Sequence, residues 1–238
     1  MNRLLKISVI FVFSIIIVAF GVNYAQAADP QFLVSWKADT SAPQSYMGKI
    51  MPVSGSTITI SFELIGTTGN QAGKVLDLTN SNVRWYINGN LLSQGKNEKT
   101  FSFITADNND TETDLKISAE YADPVAGYSY FVDKYVTIPL SHPQVVINQN
   151  KISSSIAVGS GTQLFALPYF FNALIKNLSI QWVANGQNIP IDPKDPWNLS
   201  VNIGSNYISG SQVTISAVVQ SIFDSSIQAQ KNLIITVQ

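Results

Sequence analysis

The densest run of metal-binding side chains in this 238-residue chain is Asp107, Asn108, Asn109, Asp110, Thr111, Glu112 and Asp114. Side-chain oxygens crowded at alternating loop positions are what a calcium ion takes. Asp107, Asp110 and Glu112 are therefore the candidate calcium ligands. No glycine occupies the middle of the loop and the EF-hand spacing is absent, which favours a solvated turn over a bound ion. No other cofactor is expected.

Nucleophilic chemistry has little to work with. His142 is the single histidine and stands beside Pro143 in a linker. A Ser-His-Asp triad needs its base held rigidly beside the nucleophile, and linkers do that poorly. The absence of cysteine excludes disulfides, thiolate metal sites and a cysteine nucleophile. No catalytic residue is assigned, and the chain is not expected to be an enzyme.

The remaining chemistry is aromatic. Tyr169, Phe170 and Phe171 are adjacent. Three neighbours cannot all point inward from a strand, because successive side chains face opposite sides. Two accounts stand side by side: contact with the first domain or the linker, and a patch that binds a partner. Tyr86, Tyr128, Tyr130 and Trp197 are candidates for stacking on pyranose rings, although aromatics are also ordinary cross-strand stabilisers.

The elements that must position these residues are strands. Ser56 to Leu64 alternates, with Ile58, Ile60, Phe62 and Leu64 on one face and Thr57, Thr59, Ser61 and Glu63 on the other. That is the pattern of a half-buried strand. Val83, Trp85 and Ile87 share a face in the next core strand, which ends in Asn88-Gly89. Both of those residues tolerate the positive φ of a tight turn. Trp85-Tyr86-Ile87-Asn88-Gly89 returns as Trp182-Val183-Ala184-Asn185-Gly186, 97 positions on. Ile117-Ser118-Ala119 returns as Ile215-Ser216-Ala217, and Val136-Thr137-Ile138 as Ile235-Thr236-Val237. Three landmarks in one order predict a duplicated all-β unit: a first sandwich over 28–141 and a second over 142–238. Trp85 and Trp182 are the expected core residues of the two copies, as is the buried tryptophan of immunoglobulin domains. No long 3.6-residue apolar period follows residue 27, since Pro168 interrupts the nearest case.

Residues 1–27 read as a secretory signal peptide. Arg3 and Lys6 supply the positive start, Ile7 to Phe20 the apolar run, and Ala25-Gln26-Ala27 the cleavage site. The alternative is an uncleaved membrane anchor, for which the run is short. Neither a second apolar stretch of spanning length nor a sorting signal is found after it. Removing the leader takes the net charge from −1 to −3 and leaves Arg84 as the single arginine. Nucleic acid is an unsuitable partner for such a chain, since phosphate binding needs clustered Lys and Arg.

A tryptophan followed by Asn-Gly, a Phe-rich strand and an alternating strand resembles the immunoglobulin-like modules of bacterial surface proteins. The PKD type fits less well, because its Gly-Asp-Gly signature is missing. Two stretches are similar to a narrower, poorly characterised family of exported bacterial proteins. These are Trp36-Lys37-Ala38-Asp39-Thr40 with Tyr46-x-Gly48-Lys49, and Ala166-Leu167-Pro168-Tyr169-Phe170-Phe171-Asn172. The resemblance runs from leader to end. It implies a signal peptide, two sandwiches, an extracytoplasmic location and a non-catalytic role, and it transfers no ligand residues.

The resulting expectation is a secreted or cell-surface structural or adhesion protein. It would present loops and an aromatic patch to a protein or glycan at the cell envelope. A carbohydrate-binding module is the first alternative, and an accessory subunit of an envelope secretion or pilus system the second. Contact with a membrane is expected only through an uncleaved leader. Mass spectrometry of the exported chain should find Ala28 at its N-terminus; Met1 or Asn2 still attached would show that the leader stays.

Overall fold

The computed structural model describes residues 29–106, 110–122, 127–149 and 155–238. The leader and Asp107 lie outside the described residues. Within them the chain is all β, broken only by two single 3-10 turns.

In the first half, β1 (Gln31–Ala38), β2 (Thr57–Ile65) and β5 (Thr100–Ile104) form one sheet in the order β1-β2-β5. β3 (Asn82–Ile87), β4 (Asn90–Lys96), β6 (Glu112–Ala122) and β7 (Ser129–Pro139) form the other, in the order β4-β3-β6-β7. Beyond the end of β1 the chain crosses over, and Val53 makes a parallel bridge to Ser141 at the end of β7. The second half repeats the plan. β8 (Gln144–Gln149), β10 (Gly161–Tyr169) and β13 (Asn198–Asn202) pair as β13-β10-β8. β11 (Leu178–Ala184), β12 (Gln187–Ile189), β14 (Gln212–Ser221), β15 (Gln228–Val237) and the short β9 (Ser155–Ile156) pair as β12-β11-β14-β15-β9. β9 runs parallel to the end of β15, as Val53 does beside Ser141. The chain is thus two tandem immunoglobulin-like sandwiches. β9 has no signal in the sequence, because two residues are too few to show a period.

Each sandwich closes on one indole. Trp85 and Trp182 are both 0% exposed, in separate core clusters. A buried indole N–H needs an acceptor. Trp85 Nε1 donates to the Glu98 carbonyl at 2.9 Å and Trp182 Nε1 to the Pro196 carbonyl at 3.1 Å. In both copies that carbonyl belongs to the connection that carries the chain to the opposite sheet. In the first copy the ring meets Phe62 edge-on at 5.6 Å and stacks on Phe101 at 5.5 Å.

The turns repeat in the same detail. Asn88 and Asn185 have φ of 48° and 46°, followed by Gly89 and Gly186 at 81° and 82°. Two successive left-handed residues define the type I′ turn that suits the strand twist. Asn88 Oδ1 accepts from the Asp114 N–H at 3.1 Å, and Asn185 Oδ1 from the Thr214 N–H at 2.9 Å.

Strand register corrects two of the three sequence landmarks. Trp85 stands opposite Ile117, whereas Trp182 stands opposite Ala217. Ile117 is therefore the counterpart of Ala217, two residues beyond the match read from sequence. Likewise Ile117 faces Lys134 and Ala217 faces Lys231, so Ile138 corresponds to Ile235 and not to Val237. A slip of two keeps every side chain on its own face, so alternation cannot detect it.

Replacing either indole by alanine should cost its sandwich roughly 3–5 kcal/mol, out of the roughly 5–15 kcal/mol typical of a domain. Urea unfolding of Trp85→Ala and Trp182→Ala checks this; an unmoved midpoint in either would contradict the packing described.

Candidate functional site

The two stretches that set this sequence apart meet at the junction between the sandwiches. Pro168 sits in β10 opposite Val145 of β8, beyond the point where pairing with β13 ends at Phe165↔Asn198. With one side of β10 unpaired there, a proline is tolerated. Phe170 then adopts a φ of 59°, unusual for a bulky residue. This breaks the strand alternation and resolves the crowding of three aromatics. Phe171 turns into the second core at 0% exposure, and Phe170 is 8% exposed against Tyr46 of the first sandwich.

Backbone bonds hold the arrangement. The Ser41 N–H donates to the Phe171 carbonyl at 2.9 Å, and the Phe170 N–H to the Ser41 carbonyl at 2.7 Å. Asn172 Nδ2 donates to the Gly55 carbonyl at 2.7 Å, where Gly55 has a φ of +72°. The Tyr46 ring meets Tyr169 at 5.5 Å and Phe170 at 5.6 Å, both edge-on. Its hydroxyl donates to the Lys49 carbonyl, and the Lys49 ammonium lies 3.8 Å from the centre of the Trp36 ring. A Cβ on Gly48 would collide with the Tyr46 ring. Beside the junction a cleft of about 460 Å³ is lined by Ser54, His142, Asn172 and Asp224, among others.

The pyranose-stacking candidates separate. Tyr130 faces inward, packs edge-on against Tyr121 at 5.6 Å and donates its hydroxyl to Asp29. Trp197 packs against the second core. Tyr128 is exposed at the start of β7. Tyr86 alone of the four stands on the outward face of the β4-β3-β6-β7 sheet, in register with Lys116 and, beyond it, Tyr135. The Lys116 ammonium lies 5.2 Å from the Tyr86 ring centre and 5.6 Å from that of Tyr135. In the adjacent row Arg84 lies over the Phe131 ring at 4.1 Å, and Lys116 is paired with Asp133 at 2.9 Å. Tyr135 gave no sequence signal: its place beside Tyr86 depends on the pairing of three strands distant in sequence.

Asp110 precedes β6 and Glu112 is its first residue. Among the described residues, no group of three or more His, Asp and Glu is placed to hold a metal ion. None of their helices is long and apolar enough to cross a membrane.

No protein-family model matches the sequence, and no curated protein matches it. Solved structures similar to it include the three N-terminal domains of the Highly Immunogenic Outer Capsid protein (Hoc) of bacteriophage RB49. That match has 12% identity and a TM-score of 0.43, over 87% of this chain and 59% of that one. The fibronectin(III)-like modules of Clostridium thermocellum CbhA match at 15% identity and TM-score 0.30, over 87% and 94% of the two chains. Bacteroides ovatus SGBP-B, solved with a mixed-linkage heptasaccharide, matches at 15% identity and TM-score 0.23, over 90% of this chain and 48% of that one. The chain thus spans less than two thirds of the Hoc structure and about half of the SGBP-B structure. Likeness at these values carries no ligand or partner across.

Burial of the Asp133 carboxylate opposes its charge. Hydrogen bonds from Ser118 and Lys116 and the charges of Lys116 and Arg84 outweigh that opposition and hold it below the usual carboxylate range. The hydrogen bond to Asp133 is also the main cause that raises Lys116. A depressed folded-state pKa contributes stability above the unfolded value, near 3.9 for Asp, and loses it as pH falls through the folded value. An NMR titration of the Asp133 carboxyl carbon should give a midpoint below about 3.9, and Lys116→Met should move that midpoint up.

Proposed function

We propose that the chain is a non-catalytic extracytoplasmic binding protein whose two sandwiches act as one stiff unit, presenting an outer face to a partner at the cell envelope. The junction carries this reading. Two backbone hydrogen bonds link Ser41 to Phe170 and Phe171, and the Asn172 side chain adds a third tie by donating to the Gly55 carbonyl at 2.7 Å. A flexible tether would need none of these. The leader at residues 1–27 supports an extracytoplasmic location. On this reading Tyr169, Phe170 and Phe171 serve the partner indirectly, by fixing the angle between the sandwiches. The outward row of Tyr86, Lys116 and Tyr135 favours a glycan over a protein as that partner.

X-ray scattering of the mature chain should fit a single arrangement of the two sandwiches. Across the junction, the double variant Tyr46→Ala/Asn172→Ala removes two edge-on ring contacts and one side-chain hydrogen bond, together on the order of 2 kcal/mol. It should broaden the distance distribution without moving the unfolding midpoint of either core. If the unaltered chain already requires freely reorienting domains, the stiff-unit reading fails. Fractionation of the source cells should place the chain outside the cytoplasm.

A further inference from the structure

We infer that the outward face of β3, β6 and β7 in the first sandwich is a binding site for a neutral oligosaccharide, with Tyr86 and Tyr135 as ring platforms, and with Lys116 between them and Asp114 at the turn end as hydrogen-bonding groups. This rests on the reading of the chain as a binding protein and names the ligand class.

The geometry is a groove. Tyr86 on β3 and Tyr135 on β7 are two strands apart, which places their backbones roughly 10 Å from each other. Lys116 lies between them, and the depression they bound has a volume of about 460 Å³, with Asn88 and Asp114 at its turn end. Small-ligand sites commonly fall between roughly 300 and 1,000 Å³. Tyr135 is 70% exposed, so its ring face is open to a ligand. Asp114 is fixed at the turn, its carboxylate accepting from the Thr137 hydroxyl at 2.9 Å.

The second sandwich supplies an internal control. Through the matched tryptophans, the row Tyr86–Lys116–Tyr135 corresponds to Val183–Ser216–Asn232. The adjacent row, Arg84–Ser118–Asp133, corresponds to Gln181–Val218–Gln230. The same scaffold closes without a single ring or charge at these six positions. The aromatic and ionic groups of the first copy are therefore not a requirement of the fold.

The chemistry of the face selects the ligand. None of those six residues in the first copy is aliphatic; Leu91 of β4 borders the row at one end. Protein interfaces are built around a desolvated apolar centre, whereas the middle of this face is the Lys116–Asp133 ion pair, with Leu91 and Phe131 at its margins. A pyranose has apolar C–H faces for the two rings and hydroxyls for the ammonium and carboxylate. Charge on the face is nearly balanced: Arg84 and Lys116 stand against Asp114 and Asp133, with Lys116 already paired to Asp133. That balance leaves no surplus cation for an acidic sugar.

The test is affinity electrophoresis of the full mature chain through gels holding hydroxyethylcellulose, laminarin, pullulan or galactomannan, with polygalacturonate as the acidic comparison. At least one neutral polysaccharide should retard it. Tyr86→Ala/Tyr135→Ala should weaken that binding roughly tenfold or more, the scale expected when two ring contacts are lost. Tyr135→Phe should retain it, which separates the ring from any effect on folding. Tyr128→Ala, at an exposed tyrosine outside the row, should leave it unchanged. The junction variant Tyr46→Ala/Asn172→Ala should bind as the parent does, since the groove lies wholly in the first sandwich. Retardation by no gel, retardation indifferent to the double ring variant, or retardation by polygalacturonate alone would overturn the assignment. Loss of binding in the junction variant with the row intact would overturn it too.

Discussion

The structure depends on a buried indole whose single polar atom is answered. A tryptophan ring fills the space between two sheets as no aliphatic side chain does, but its N–H cannot be left unpaired there. In both sandwiches the answer comes from a backbone carbonyl in the connection that crosses between the sheets. That one bond ties the central strand of one sheet to the path the chain takes toward the other. It fixes where the crossing connection lies, and with it which residues of β5 and β13 can face the core. The Asn-Gly turn just after each indole then sets the register of the hairpin that follows.

The two copies solve their edge problem in the same way. β7 ends its sheet, and β15 is covered by β9 only at Thr236 and Val237. An open edge invites pairing with another chain. Lys134 occupies an inward position on β7 between Val132 and Val136 yet remains exposed, and Lys231 does the same on β15 between Ala229 and Leu233. The two lysines are 97 positions apart, the same spacing as the tryptophans they stand near. An inward-pointing charge at an edge would be desolvated if a second strand docked there, so it guards the edge.

How much of this was legible depended on range. The indole, the Asn-Gly turn and the alternating strands are local patterns, and they were enough for a duplicated sandwich. The landmark matches on β6 and β7 were two residues out, because a period-two pattern is blind to a slip of two. The crowding of Tyr169, Phe170 and Phe171 was visible, but its resolution was not. A left-handed Phe170 depends on hydrogen bonds to Ser41, 129 positions earlier in the chain. The partnership of Tyr86, Lys116 and Tyr135 was equally hidden, since it exists only once three strands are paired.

The division of labour between the copies follows from what each position must satisfy. Inward positions answer to the indole and change little in character: Ile117 against Ala217, Ile138 against Ile235. Junction positions answer to the other sandwich, which is why Phe170 can be held in a conformation that costs on the order of 1–3 kcal/mol. The bonds and ring contacts around Ser41 and Tyr46 compensate for that strain, and the strain in turn directs one phenylalanine to each side of the boundary. Outward positions on β3, β6 and β7 answer to neither constraint. They are where two copies of one scaffold are free to differ, and there one carries rings and charges while the other carries valine, serine and amides. A fold built twice around the same interaction thus keeps its differences on the surface available to a ligand.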